Sequence, residues 1–207
     1  MKHFLLIATT LLLVACSGGK TDGNGEGSSE AKPQSVAGTP ADKAKIYSDA
    51  EFDESKSFIV ISKKDLRLYV YADINGDTTL IAHFPVCLSK NKGQKQGSGD
   101  MRTPESEPGK PFTIKQIQNA SDWHHDFGDG RGNILAYGNW FLRLETPFSG
   151  IGIHGSTNNE ESVPGRASEG CIRLRDADII TLKENYAYVG MPVIIKGEDQ
   201  GPLPFEK

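Results

Sequence analysis

The chain has 207 residues, of which 37% are hydrophobic and 24% are charged, and its net charge is -4. This composition is typical of a globular domain with one core, and it excludes a largely disordered chain. The negative net charge and the lack of any basic block in the sequence argue against nucleic acid as a partner. Three cysteines are too few for a disulfide scaffold, so we expect the fold to depend on a hydrophobic core.

Residues 1–15 have the features of a secretory signal peptide. One lysine precedes an apolar run of about eleven residues, which is shorter than the roughly 20 residues of a membrane-spanning helix. The run ends at Cys16, and Leu13-Val14-Ala15-Cys16 resembles the bacterial lipoprotein signal, in which the cysteine is lipidated and becomes the mature N-terminus. The alternative is an ordinary secretory signal in which Cys16 is coincidental. Ser17 in second position resembles the outer-membrane class of diderm lipoproteins.

Residues 16–50 are predicted to be the lipidated N-terminus followed by a flexible linker. The segment is rich in Gly, Ser and charge and has few large apolar side chains, so it cannot bury enough surface to fold. A flexible linker of this length has a root-mean-square span of roughly 30 Å. We therefore expect a membrane tether facing the periplasm, one folded domain over residues 51–200 and a tail over residues 201–207.

The folded part has the periodicity of a mainly β domain. Apolar residues alternate with polar ones over residues 66–71, and an Asn75-Gly76 turn predicts a hairpin with residues 79–86. Together the strands and the many glycines and prolines predict a twisted β-sandwich or an open barrel. The other predicted strands cover residues 58–61, 112–117, 135–144 with a break near Gly138, 151–154 and 192–196.

One helix and two long loops are predicted beside the strands. Apolar residues fall at helical spacing over residues 176–189, with two aspartates in the first turn and Gly190 after the end. The loops cover residues 89–111 and 118–133. Segments of this length without predicted secondary structure are usually functional when they lie within a domain. We expect the second loop, which contains Trp123 and Arg131, to form a wall of the substrate cleft.

The candidate chemistry lies in two short segments that end at His154 and contain Cys171. A cysteine nucleophile needs a neighbouring base, because a thiol near pKa 8.5 is only a few per cent thiolate at neutral pH. His154 ends a short apolar strand and is the predicted base. Gly170 leaves the approach to the sulfur open, and the N–H groups of Gly170 and Cys171 are the predicted oxyanion donors, worth about 2.7–4 kcal/mol each. Arg173 either holds a substrate carboxylate or pairs with a local acid.

These segments closely resemble the L,D-transpeptidase catalytic-domain family of bacterial cell-wall enzymes. His154-Gly155 is followed about fourteen residues later by Ser168-Glu169-Gly170-Cys171-Ile172-Arg173, which fits the family's Ser-x-Gly-Cys-x-Arg element. Three further segments also resemble the family: Phe84-Pro85-Val86, the Thr103-Pro104 turn and the closing strand after Gly190. The resemblance covers residues 58–196, essentially the whole predicted domain. It implies a β-sandwich with one short helix after the catalytic cysteine and long loops around the cleft.

The resemblance also implies a role for each matching residue. Cys171 is the implied nucleophile and His154 the base, while Ser168 and Gly170 shape the turn. Arg173, Gly155 and Glu169 lie at the implied substrate site. Many relatives have histidine or another hydrogen-bonding residue in place of Glu169, so its carboxylate bears on rate and acceptor preference. A backbone carbonyl is expected to orient His154, since Gly155 offers no side chain.

The reaction implied by the family starts on a peptidoglycan stem peptide. Cys171 attacks the bond between the L-centre of a diamino acid and the following D-alanine, and an amine of another stem captures the thioester. Water as acceptor would make the same site an L,D-carboxypeptidase or a hydrolase that releases wall proteins. A catalytically silent wall-binding lipoprotein is a further alternative. We expect a monomer with no cofactor.

The remaining cysteine and histidines receive no catalytic role. Cys87 is predicted to be a small buried strand residue, with a Cys87–Cys171 disulfide as the less favoured alternative. His83 is predicted to be exposed on a strand. His124-His125-Asp126 suggests a metal site, but adjacent histidines in a loop do not guarantee the three or four converging ligands that zinc requires. We therefore predict no metal.

Overall fold

The computed structural model describes residues 56–206. The predicted signal peptide, the lipidation site Cys16 and the predicted linker lie outside the described residues. Within residues 56–206, none of the helices has the length and apolar character that crossing a bilayer requires.

The described part contains twelve strands, one α-helix and one short 3-10 helix. The strands are β1 (Ser57–Ser62), β2 (Arg67–Ile74), β3 (Asp77–Pro85), β4 (Cys87–Ser89), β5 (Phe112–Asn119), β6 (His124–Asp126), β7 (Asn133–Leu135), β8 (Trp140–Glu145), β9 (Gly152–His154), β10 (Gly165–Ser168), β11 (Ile172–Arg173) and β12 (Pro192–Lys196). The helix α1 covers Asp176–Asn185, and the 3-10 helix covers Glu160–Ser162. The domain is mainly β with one helix after the candidate cysteine, which confirms the predicted fold class.

Ten strands form one sheet in the order β10-β4-β11-β9-β8-β5-β12-β1-β2-β3, and β6 pairs with β7 alone. The predicted hairpin is present, with Ile74 opposite Asp77 across the turn. Asn75 and Gly76 have φ values of 55° and 92°, the left-handed conformations that a two-residue hairpin turn of type I′ requires. β1 runs parallel to β12, and these first and last strands of the described part lie side by side within the sheet, away from its edges.

The hydrophobic core contains side chains from strands along almost the whole sheet, from β4 near one edge to β3 at the other. Because side chains from distant strands belong to one buried cluster, the sheet must curve around it. Each fully buried Ile, Leu or Phe contributes about 1.5–3 kcal/mol through removal of apolar surface from water. Representative members, all without solvent exposure, are Ile59, Leu68, Phe84, Leu142, Ile153, Ile172, Leu174, Ile179 and Val193.

The helix is shorter than the sequence pattern predicted. It ends at Asn185 rather than residue 189, and Val189 is 60% exposed. The N–H of Gly190 donates to the carbonyl oxygen of Ile114, because the chain must leave the helix to pair β12 with β5. Tertiary hydrogen bonding therefore overrides the local periodicity at this end.

The segment from residue 118 to residue 144 also differs from the prediction. β5 continues to Asn119, and the predicted loop contains the β6–β7 hairpin. The predicted strand over residues 135–144 is divided into β7 and β8 at Gly138, whose φ is 67°. The break was expected at this glycine, but the change of pairing partner from β6 to β5 was not.

The first long loop, residues 90–111, is held against the domain by a buried lysine. The Lys63 side chain has no solvent exposure. Its ammonium donates to the carbonyl oxygens of Gly93 at 2.7 Å and Thr103 at 3.2 Å, and to Glu105 at 2.6 Å. A buried charge is tolerated only with such complete pairing, and the three contacts fix both ends of a loop that borders the candidate site.

Candidate active site

One cavity of about 560 Å³ contains both predicted catalytic side chains. It lies between the loop 90–111, the β6–β7 hairpin and the turn that precedes β11. The residues around it include Lys95, Met101, His125, Phe127, Tyr137, Phe148, His154, Ser168, Glu169, Gly170, Cys171 and Arg173. The cavity therefore brings together segments that are up to about 80 residues apart in the sequence.

His154 is held rigidly at the end of β9. Its backbone pairs with Phe141 of β8 on one side and with Arg173 of β11 on the other. The imidazole is only 3% exposed, and the ring of Tyr137 lies with its centroid 4.8 Å away. The Nδ1 atom lies 2.6 Å from the carbonyl oxygen of Gly155, the kind of orienting group that we predicted from the sequence.

This contact determines the tautomer of His154. A carbonyl oxygen only accepts, so Nδ1 must carry the hydrogen, and Nε2 of the neutral ring keeps its lone pair. Burial, followed by the nearby positive charge of Arg173, lowers the pKa of His154 from 6.5 to about 3. At neutral pH the ring is therefore an uncharged base with one nitrogen available.

Cys171 lies in the turn between β10 and β11 and is half-buried. Its Sγ lies 3.2 Å from the carbonyl oxygen of Gly150, to which the thiol donates. Burial raises the pKa of Cys171 to about 11, although a hydrogen bond from the N–H of Gly152 and the charge of Arg173 act in the opposite direction. The resting site thus holds a protonated thiol and a neutral imidazole.

The expected hydrogen bond between Cys171 and His154 is not formed in this structure. The thiol proton points to Gly150 instead. Both side chains nevertheless line the same cavity, and the contact between nucleophile and base is often long or misaligned before substrate binds. The thiol must therefore rotate away from the Gly150 carbonyl oxygen before His154 can take its proton.

The turn around the nucleophile depends on Ser168 and Gly170, as predicted. The Ser168 hydroxyl donates to the carbonyl oxygen of Cys171 at 2.6 Å and accepts from the N–H of Gly170 at 3.3 Å. Gly170 has a φ of 147°, and a β-carbon there would lie 3.0 Å from the carbonyl oxygen of Arg102. Since the Gly170 N–H already has a partner, Cys171 N–H is the better of the two predicted oxyanion donors.

Gly155 does not occupy the predicted place at the substrate site. It is not among the residues that line the cavity. A β-carbon on Gly155 would lie 2.4 Å from Oδ1 of Asp176 and 2.7 Å from the Cα of Gly138. Gly155 therefore serves close backbone packing, and it contributes to the site through the carbonyl oxygen that holds His154.

Glu169 and Arg173 both line the cavity, but they differ in exposure and in their contacts. Glu169 is exposed, and its carboxylate lies 3.3 Å from Nε2 of His125 in the β6–β7 hairpin. Arg173 is 3% exposed, donates to the Ser162 hydroxyl at 2.9 Å and lies over the ring of Phe127. Of the two possibilities left open for Arg173, pairing with a local acid is not seen among the described residues.

Several residues of the site were missed by the sequence reasoning. Lys95 is only 7% exposed, pairs with Asp100 at 2.8 Å and lies 5.6 Å from the ring centroid of Phe148. Its ammonium lies 3.7 Å from the position that a β-carbon would have on Gly170. No periodicity marks a lysine in an irregular loop; the only available signal was the length of that loop.

Residues of the second long loop line the cavity. His125 and Phe127 line the main cavity, and Trp123 lines a neighbouring depression that also reaches Cys171. Arg131 does not face the cavity. It fixes the hairpin by donating to the carbonyl oxygen of Asn158 at 2.9 Å and to the side chain of Asn159 at 2.7 Å.

Neither Cys87 nor His83 lines the cavity that contains Cys171 and His154. Cys87 and Cys171 are both free thiols, so the alternative disulfide is absent, and the buried Cys87 sulfur accepts from the N–H of Ala167 at 3.3 Å. His83 is half-buried on β3, rather than exposed as predicted, because it packs beside Tyr69. Within residues 56–206, no three His, Cys, Asp or Glu side chains converge in a way that would hold a metal ion.

The sequence of the described domain matches one known protein family. Residues 56–195 match the L,D-transpeptidase catalytic domain, YkuD. This chain belongs to that family. The L,D-transpeptidase domain thus covers more than half of the chain, and the family predicted from the motifs is confirmed. No curated protein matches the chain.

Solved structures with a similar fold include three bacterial proteins. They are Bd1075 of Bdellovibrio bacteriovorus (21% identity, 68% of this chain and 48% of that chain, TM-score 0.49), an L,D-transpeptidase of Mycobacterium smegmatis (16% identity, 69% and 59%, TM-score 0.49) and the helical cell shape determining protein Pgp2 of Campylobacter jejuni (19% identity, 70% and 48%, TM-score 0.47). The L,D-transpeptidase chain described here spans between 48% and 59% of the lengths of these proteins.

Proposed function

We propose that this protein is a cysteine acyltransferase that acts on peptidoglycan stem peptides through a thioester on Cys171. The observation that carries the proposal is a thiol and a neutral imidazole at one cavity, with Nδ1 of His154 committed to the Gly155 carbonyl oxygen. Because Nδ1 donates to that carbonyl oxygen, Nε2 is the nitrogen that can act as the base. Such a base is required because the pKa of the Cys171 thiol is raised.

The first half-reaction transfers the acyl group to sulfur. Nε2 of His154 takes the thiol proton as Sγ attacks the carbonyl carbon that precedes D-alanine. The Cys171 N–H stabilises the oxyanion that forms. When the tetrahedral intermediate collapses, the C–N bond breaks, the imidazolium returns its proton to the leaving amine, and D-alanine departs from a thioester.

The second half-reaction restores the thiol. An acceptor amine attacks the thioester carbon, His154 takes a proton from the attacking nitrogen, and Sγ leaves with that proton as the amide forms. With water as acceptor the same steps give a carboxylic acid. The cationic Lys95 and Arg173 at the cavity support an acidic donor peptide, because the donor ends in a carboxylate.

Mass spectrometry of the protein mixed with a defined tetrapeptide stem tests the proposal. We expect an adduct on Cys171 equal to the tripeptide acyl group, release of D-alanine, and a cross-linked dimer when acceptor stems are present. Cys171→Ala abolishes the adduct, while Cys87→Ala, which removes the buried thiol, retains it. Tripeptide without dimer would instead assign a carboxypeptidase, and wall fragments bound without any adduct would assign a silent binding protein.

We further propose that the enzyme is attached to the cell envelope by a lipid on Cys16 and faces the periplasm, from the outer membrane in a diderm cell. The apolar run before Cys16 and the Ser17 that follows it support this proposal. Several acyl chains on one terminus give stable attachment, since each buried methylene contributes about 0.8 kcal/mol. Metabolic labelling with a fatty acid probe is expected to mark the wild type and not Cys16→Ala, and equal labelling of both would contradict the anchor.

A further inference from the structure

We propose that Glu169, supported by His125, forms the binding site for the acceptor amine and directs the acyl group to a cationic amine rather than to water. This inference rests on the proposed function and deepens it. Glu169 immediately precedes the Gly170-Cys171 turn, and both Glu169 and His125 line the cavity that contains Cys171. A group bound by this carboxylate therefore lies beside the sulfur that carries the acyl chain.

Among the described residues, the Glu169 carboxylate forms no ion pair with a lysine or an arginine. Its ion-pair partner among the described residues is His125, at 3.3 Å, and an imidazole carries charge only when protonated. By contrast, Asp100 is paired with the ammonium group of Lys95 at 2.8 Å. The side chains of Glu169 and His125 are 38% and 32% exposed, so an incoming ligand can reach both.

The charged side chains around the cavity differ in sign and in exposure. Lys95 is buried against the turn by the loop 90–111, and Arg173 is buried over Phe127. These cations suit the carboxylate of the donor peptide. The carboxylate of Glu169 is 38% exposed and supplies the opposite charge, which suits the ammonium group of an acceptor.

An ammonium group must lose one proton before its nitrogen can attack the thioester. Glu169 binds the ammonium, and the Glu169–His125 pair accepts that proton and passes it to solvent. His154 then takes the second proton during attack and returns it to sulfur. The overall step consumes the thioester and one ammonium group, and it yields an amide, the free thiol and one proton.

The predicted consequence is a choice of acceptor, which competition between nucleophiles measures. The full-length enzyme is mixed with a tetrapeptide donor and either a cationic primary amine, such as the side-chain amine of a diamino acid, or hydroxylamine, which is uncharged at neutral pH. The ratio of acyl-transfer product (the amide from the amine, or the hydroxamic acid from hydroxylamine) to the tripeptide formed by hydrolysis is recorded for each. Glu169→Gln keeps the shape and removes the charge; Glu184→Gln removes an exposed carboxylate on α1 and is the matched control.

We expect Glu169→Gln to lower the amide-to-hydrolysis ratio about tenfold with the cationic amine and to leave the ratio with hydroxylamine within about twofold of the wild type. Glu184→Gln changes neither ratio. His125→Gln retains the carboxylate and is expected to lower the cationic ratio less than Glu169→Gln does.

Two outcomes overturn the inference. An unchanged ratio with the cationic amine in Glu169→Gln shows that the charge does not select the acceptor. An equal fall with both nucleophiles shows that Glu169 acts through the shape of the turn instead. If thioester formation is normal, either result contradicts only the acceptor site and leaves the proposed function intact. If the wild type forms no thioester, both the proposed function and this acceptor site are wrong.

Discussion

The imidazole of His154 lies flat against the phenyl ring of Phe141, with ring centroids 5.5 Å apart and an angle of 9° between the planes. The two residues are also direct partners across β8 and β9. The proposed base is therefore fixed by a neighbouring aromatic ring as well as by its hydrogen bond to Gly155. Stacking of this kind limits rotation of the ring and keeps Nε2 at the cavity.

Phe141→Leu tests this support. We expect a loss of about 1–2 kcal/mol in unfolding free energy and about a tenfold fall in the rate of Cys171 acylation, because a small displacement of the base is costly for catalysis. The rate of Cys171 acylation is measured by quenching the reaction at fixed times and quantifying the adduct by mass spectrometry. Phe112→Leu, a partly buried residue of β5 that packs on the same core, controls for stability alone. Equal rates for the two variants would contradict the support role.

Gly152→Ala tests the packing beneath Phe141. A β-carbon on Gly152 would lie 2.3 Å from Cε1 of Phe141 and 2.9 Å from the carbonyl oxygen of Leu142. Relief of these clashes must displace the ring, so we expect a loss of about 1–3 kcal/mol in urea denaturation together with slower acylation. Gly201→Ala meets no atom within 4 Å and is expected to be neutral. A wild-type midpoint for Gly152→Ala would be inconsistent with this packing.

The buried His154 predicts a specific dependence of stability on pH. Its pKa is lowered in the folded state from 6.5 to about 3, so the unfolded chain binds a proton first as pH falls. The stabilisation is present above the unfolded pKa and is lost progressively between the two values. Between about pH 7 and about pH 5, the wild type is expected to lose about 2 kcal/mol more than His154→Gln. Parallel pH profiles in urea denaturation would show that the ring is not buried in its neutral form.

Lys95→Met tests the cationic side of the cavity. The Lys95 ammonium lies beside the Gly170 position, where it would attract the anionic donor of the proposed reaction. We expect about a tenfold lower kcat/KM for a tetrapeptide that ends in a free carboxylate, and a smaller change for its amidated form. Lys92→Met removes an exposed lysine of the same loop and controls for net charge. Equal losses with both donors would assign Lys95 to loop structure only.

Much of the fold was predictable because the local signals agreed with the tertiary structure. The Asn75-Gly76 turn specified its hairpin, since the left-handed conformations of both residues are required there. The helix start at Asp176 was also correct. Its end was not, because Val189 continues the periodicity while the backbone leaves to pair β12 with β5. The short strands β4, β10 and β11 were missed, since two to four residues carry no readable alternation.

The sequence by itself identified the family, because the family's motifs are residue types at fixed spacing. The resemblance then implied Cys171 and His154 as candidate nucleophile and base, and a turn shaped by Ser168 and Gly170. Only the tertiary structure decided the tautomer of His154, the packing role of Gly155, and the presence of Lys95 and His125 at the cavity. Those features arise where distant segments meet, and the physical reason is that burial and hydrogen bonding between such segments leave no periodic mark in the chain.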